Sequence, residues 1–516
     1  MRLRTLPQEL VDAQIKIEAI ASEVGLTFFQ TVFEMIDYEQ MNALAAYGGF
    51  PTRYPHYRFG MEYQHLAKSY EYGLHKIYEM VINNDPTYAY LLEGNTMMDQ
   101  KLVMAHVYGH ADFFMNNMYF AHTNRKMVDQ MANHSTRVRR YQERYGVERV
   151  ECFIDACLSI DDMIDPAAVF NTGDGNGAPA NGGNEQLDAE DNEHPEQMTH
   201  SDSGRMPAKE YMDRYVNPPA YLKQMRERHA SEQLETQRFP AHHERDLMGF
   251  ILLHAPLENW ERDVLGMLRE EAYYFLPQRQ TKVMNEGWAS YWHSKMMTTR
   301  ILDDSEVIDY ADHHSGTVAT QPGKLNPYKL GIELFREIER RWDAGQFGPE
   351  WDACESMAER SNWDRKLGLG LEKIFEVRRV HCDATFLDEF LTPEFCLEQQ
   401  LFVSKQEPKT KQRVVDTREF DKVKQAVLFQ FTNGGRPVIE IVDANYANRG
   451  ELLLLHRHVG VDLRRDWAED VLLQLTLLWR RPVKLETILG GKPMRLGHDG
   501  DTASEELLEA PATASS

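Results

Sequence analysis

The segment HVYGHADFF, His106 to Phe114, decides how this chain is read, and MNEGWASYWH, Met284 to His293, is its counterpart. Two histidines four residues apart lie a turn over each other on one face of a helix, where both imidazoles can reach a single metal ion. A glutamate on a second helix completes the two-nitrogen, one-oxygen set of an open zinc site. His106, His110 and Glu286 are therefore the expected ligands, with zinc or another divalent metal as the cofactor.

The pair resembles the ligand helices of gluzincin metallopeptidases, whose third ligand sits on an NEGFA-type helix; Asn285-Glu286-Gly287-Trp288-Ala289-Ser290-Tyr291 is close to that pattern. Two departures separate the chain from that class, the first bearing on catalysis and the second on the homology alone. The glutamate that follows the first histidine in HExxH, and activates water there, is replaced by Val107. Glu286 also lies 176 residues after His110, whereas the class usually places its third ligand a few tens of residues on.

A hydrolase lacking that glutamate needs another general base. Glu270 and Glu271 in LREEAYYF are the leading candidates, because Pro277 can fold their helix back beside that of Glu286; solvated acids on a helix face are the alternative. His293 shares a face with Glu286, two turns on, and is read as a fourth ligand, a transition-state donor or simply a satisfied histidine. One of His313 and His314, in a stretch read as a loop, and Tyr328 in NPYKLG are candidates to donate to an oxyanion or complete a coordination shell. Asp112 points to another helical face, as a supporting or surface acid. A di-iron bundle needs two ExxH motifs, and Glu62-Tyr63-Gln64-His65 is the only convincing copy.

The 516 residues carry 57 Lys and Arg against 81 Asp and Glu, a net charge of −24, which offers nucleic acid or an anionic membrane no general attraction. No apolar run reaches the ~18 residues of a membrane span, and the opening thirty residues lack a signal-peptide core, so a cytoplasmic location is expected. The five cysteines are dispersed without a CxxC pair and read as buried free thiols.

An amphipathic helix is expected from Pro7 to Val24, and a hairpin from Ile77 to Gly94, turning at Asn83-Asn84-Asp85-Pro86. Zincins commonly run such an edge strand beside the metal-binding helix, where it can pair with an extended substrate; a plain surface hairpin is the other reading. Helical periodicity, as in Leu257 to Phe275 and Lys329 to Arg341, fills the stretch to about Gln400. The fold class is thus mainly α, a zincin-like helical body with a small β-hairpin or sheet, plus a small C-terminal α+β domain. The expected division is 1–404 for the helical domain, with a disordered acidic insertion at 171–204, then a polar linker, the α+β domain at 414–496 and a flexible acidic tail at 497–516.

The runs AYLLEGN, HVYGHADFFMNN, EEAYYFLPQRQTKVMNEGWASYWH and KLNPYKLGIELF resemble the stage V sporulation protein R (SpoVR) family over most of the chain. The resemblance implies a role in spore cortex formation or stress physiology. It also implies association with a PrkA-type serine protein kinase and a von Willebrand-domain partner. Two function classes follow. One is a cytoplasmic metal-dependent hydrolase of peptide or other amide bonds, the metal polarising the carbonyl and acidifying water. The other is a degenerate zincin-fold scaffold acting with those partners.

Overall fold

The computed structural model describes residues 6–71, 79–170, 238–317, 325–406 and 413–508, with the single positions 218, 221, 223 and 319. The acidic insertion expected at 171–204 lies outside them. In chain order the main elements begin with α1 (Gln8–Glu23), β1 (Thr31–Ile36), α2 (Tyr38–Ala46), α3 (Tyr57–Glu71), β2 (Glu79–Ile82), β3 (Thr87–Leu92) and α4 (Met97–Asn116). There follow α5 (Met127–Tyr145), α6 (Val147–Leu158), α7 (Leu247–His254), α8 (Asn259–Gln280), α9 (Lys282–Met296), α10 (Val307–Thr317), α11 (Pro327–Ala344), α12 (Gly370–Val380) and α13 (Asp383–Phe390). The last are β4 (Val403–Gln406), β5 (Arg413–Thr417), α14 (Phe420–Phe431), β6 (Ile439–Tyr446), β7 (Glu451–His456), α15 (Arg465–Trp479), β8 (Val483–Leu489), β9 (Lys492–His498) and β10 (Ala503–Leu507). The protein is mainly helical with a small C-terminal α+β domain.

Two compact units divide the chain, Met1–Asp155 with Gly266–Arg436 and Ala156–Leu265 with Pro437–Ser516. The break near Arg436 lies later than the linker read from the sequence. Its cause is α14, which buries Val423 and Val427 in the core of the first unit. At the two ends of the polar linker lie β4 and β5, paired antiparallel.

In the first unit, α4 is the central helix. Thr96 Oγ1 accepts from the Asp99 N–H while Asp99 Oδ2 accepts from the Thr96 N–H, a reciprocal cap that sets its first turn. Every residue from Met98 to Phe114 except Lys101 is buried, as befits a helix enclosed on all sides. The expected hairpin is present, β2 antiparallel to β3, but β3 is not an edge: β1 pairs with it in parallel, in the order β1-β3-β2. That leaves β2 and β1 as the two edges.

Helices α4, α9 and α11 touch backbone to backbone. A methyl group on Gly109 would lie 2.7 Å from Ala289 Cα, and one on Gly287 or Gly331 would strike the backbone of the facing helix. Asp112, expected on another face, is fully buried between them; it accepts from Thr27 N–H at 2.9 Å and Trp288 Nε1–H at 2.8 Å, with Arg378 Nη1 at 3.5 Å. Thr281 gives α9 no side-chain cap. The cap comes from Asp383, whose carboxylate accepts from Val283 N–H at 2.8 Å and Met284 N–H at 2.9 Å.

Two local expectations change. Helix α8 continues through Pro277 to Gln280, and the chain turns at Thr281, where Oγ1 donates to the Pro277 carbonyl. His313 and His314 lie on α10 rather than in a loop.

The second unit contains a five-stranded sheet ordered β10-β9-β8-β7-β6, in which β7 and β8 are parallel and joined through α15. Leu472, Leu475 and Leu478 of α15 are buried, and Trp479 Nε1–H donates to the Gly450 carbonyl at 2.9 Å. Ala503–Leu507, within the stretch read as a tail, pairs with β9 as β10. All five cysteines are free; Cys157, Cys382 and Cys396 are buried as expected, whereas Cys152 is exposed and Cys354 half-exposed.

Gly331→Ala is expected to destabilise the protein by about 1–3 kcal/mol, because the added methyl must displace backbone rather than a flexible side chain. An unchanged denaturation midpoint would contradict the close helix contact.

Candidate metal centre

Helix α4 places His106 and His110 one turn apart, their rings 4.5 Å apart and perpendicular. Helix α9 brings Glu286 to them. Each histidine's Nε2 lies 3.6 Å from the same carboxylate oxygen, Glu286 Oε2, and one ligand atom from each residue falls within 4.8 Å of the others. An ion about 2.1 Å from each of three tetrahedral ligands holds them roughly 3.4 Å apart. Among the described residues this is the one cluster of three or more His, Cys, Asp or Glu with such convergence.

The far sides of both rings are also engaged. His110 Nδ1 lies 2.9 Å from Asn285 Oδ1, and His106 Nδ1 lies 2.8 Å from His293 Nδ1. Asn285 was missed in the candidate set, although it directly precedes Glu286 in the quoted segment.

Burial, together with the neighbouring His106, pushes His110 down to about 4 despite Glu286, so the ring is neutral near pH 7. Burial pushes the Glu286 carboxyl up, but contacts with His106, His110 and Tyr328 outweigh it and hold the carboxyl below its ordinary value. A neutral imidazole beside an ionised carboxylate is the protonation state that cation binding requires. Glu286 Oε2 is buried without a conventional hydrogen-bond partner, and its only ion-pair neighbours among the described residues are those two histidines. The donor set therefore fits a divalent cation, which would supply the missing positive charge.

The other expected residues divide. Tyr328, at the start of α11 beside the N-cap Asn326, bears on Glu286 through its hydroxyl, and its ring stacks 6.4 Å from that of His106. His314 stands beyond His293, ring to ring 5.8 Å, stacked on Tyr310 at 5.7 Å. Glu270 and Glu271 belong to a different network. Glu271 accepts from Arg53 Nη2 at 2.7 Å and pairs with His134 Nδ1 at 2.9 Å, while Glu270 accepts from Asn124 and Gln130 and lies 3.4 Å from His134 Nε2. Because α8 does not fold back at Pro277, the structure joins these acids to Arg53 and His134, and both Glu271 oxygens are taken.

The family model described as "SpoVR like protein" matches residues 5–436, the stretch that contains every residue of this centre. The chain belongs to the SpoVR family. A second model, the SpoVR-like C-terminal domain, matches residues 437–490 and begins where the second unit resumes. A relative named uncharacterized protein YcgB, from Escherichia coli (strain K12), is 29% identical over 414 residues, covering 76% of this chain and 74% of its own. No solved structure matches this SpoVR chain. No helix among its described residues is long and apolar enough to cross a membrane.

The His134 network carries a pH signature. Burial alone pushes His134 down, but its bonds to Glu270 and Glu271 win and raise it above its ordinary value. A raised folded-state value means stability that is fully present below about pH 6.5 and lost as pH rises through the folded value. His134→Gln should therefore cost more thermal stability at pH 6 than at pH 9; an equal cost at both would refute the charged pairing.

Proposed function

We propose that this SpoVR-family protein is a cytoplasmic metalloprotein that holds one divalent cation, zinc by its donor set, at His106, His110 and Glu286, and hydrolyses peptide or other amide bonds. The observation that carries this reading is the convergence of two Nε2 atoms on one buried, otherwise unpartnered carboxylate oxygen. A bound cation supplies Lewis-acid polarisation of a carbonyl group. The chain's own residues do the rest. Glu286 brings a half-buried negative charge, Asn285 and His293 fix the ring planes, and the Tyr328 hydroxyl stands beside the carboxylate as a proton donor to developing negative charge. Five free thiols suit a reducing compartment. The role in spore formation or stress physiology rests on family membership.

A second reading is favoured by one observation. Val107, where HExxH has its base, is fully buried in the apolar core, and the alternative candidates Glu270 and Glu271 are engaged elsewhere. A chain that retains the cation but lacks a base would serve as a scaffold for a PrkA-type serine kinase and a von Willebrand-domain partner.

Purified protein is expected to carry about one equivalent of metal, largely lost in His106→Ala and in Glu286→Gln. Unchanged metal content in both variants rejects the site. To separate the readings, metal-loaded protein is incubated with a peptide library. Cleavage that Tyr328→Phe slows by roughly a hundredfold, with metal retained, supports the hydrolase. No cleavage by the loaded protein leaves the scaffold.

A further inference from the structure

His293 faces His106 on the side away from Glu286. The two Nδ1 atoms stand 2.8 Å apart, while His106 Nε2 lies 3.6 Å from Glu286 Oε2. Two neutral imidazoles that meet nitrogen to nitrogen share one proton, so one ring donates and the other accepts. What sits at His106 Nε2 decides the direction. A cation there needs the lone pair of Nε2, which leaves the His106 proton on Nδ1 and makes His293 the acceptor. The reverse arrangement turns a His106 Nε2–H toward Glu286 and closes that nitrogen to a cation.

His293 is 3% exposed, and its Nε2 is buried without a hydrogen-bond partner. The contact with His106 is thus the one that offsets the cost of burying this ring. It also occupies His293 Nδ1, which takes that nitrogen out of the ligand set. Asn285 holds His110 in the same sense, through Nδ1 and from the same helix.

We infer that His293 is a positioning residue: its Nδ1 accepts the His106 Nδ1–H and thereby commits His106 Nε2 to the cation, with no contact of its own to metal or substrate. This rests on the reading of His106, His110 and Glu286 as a cation site. An aspartate or glutamate in this place would add a negative charge; a histidine fixes the ring while leaving the charge of the centre to Glu286 alone.

The test measures zinc affinity, by competition with a chromophoric chelator, for wild type, His293→Asn and His293→Leu. Asparagine puts an acceptor oxygen close to the position of Nδ1; leucine fills the space without one. The leucine variant is expected to bind zinc roughly 10–100-fold more weakly, and the asparagine variant within a few-fold of wild type. Nitrogen-15 spectra of histidine-labelled, zinc-loaded wild type should show His106 protonated at Nδ1, a readout that does not depend on any variant folding. Equal affinity in the leucine variant and wild type, a folded asparagine variant as weak as the leucine one, or a His106 lacking the Nδ1 proton overturns the role of His293. Failure of the wild type to take up zinc overturns the cation site itself, and the role with it.

Discussion

The backbone contact between α4 and α9 is the constraint on which the centre depends. Helices ordinarily pack 8–10 Å apart, with side chains between them. Here the absence of a side chain at Gly109, between the two histidines, lets Ala289 Cα approach, and Glu286 is carried to within reach of both rings. On the opposite side of α9 the Gly287–Gly331 contact seats the same helix against α11, whose first turn delivers Tyr328. One helix therefore supplies a carboxylate and both ring acceptors because small residues flank it on two sides. Asp112 locks the arrangement by bonding Trp288, two residues beyond Glu286.

Much of this was legible in the sequence because it is local. The spacing of His106 and His110 specifies a shared helix face, and the NEGWASY run places Glu286 on a second helix; the Thr96 to Asp99 cap and the role of Asn285 came only with the structure. The hairpin turn at Asn83 to Pro86 is equally local. Where several long-range contacts decide, the sequence was silent. Nothing near TVFEMI announces that β1 will pair in parallel with β3. The acids Glu270 and Glu271 were drawn toward the centre by a bend at Pro277 that α8 does not make, and their real partners, Arg53 and His134, lie far away along the chain. The α10 histidines looked like loop because Gly316 and the polar neighbours mask a helix that directly follows a capped 3-10 turn at Asp304–Glu306.

The electrostatics of the first unit separate two kinds of acid. Glu271 is neutralised by Arg53 and a protonatable His134, a closed arrangement in which each charge has its partner. Glu286 has two imidazoles and the Tyr328 hydroxyl beside it but, among the described residues, no Arg or Lys ion pair, and burial holds His110 neutral. The same residue type in the same unit is thus complete in one place and short of a positive partner in the other, and that contrast is what supports the proposed cation site.

The cap on α9 has a further consequence. Asp383 bonds the first turn of the helix from roughly a hundred residues downstream, and Asn285 and Glu286 occupy the very next positions. Fraying of that turn would swing ligand and acceptor off their rings together. The proposed ligands are therefore written into the chain well before the residue that holds them in register. A fragment ending ahead of α13 would keep His106, His110 and Glu286 yet lose the cap on the helix that carries Glu286, so the stretch of chain that holds the three together extends well past the residues themselves.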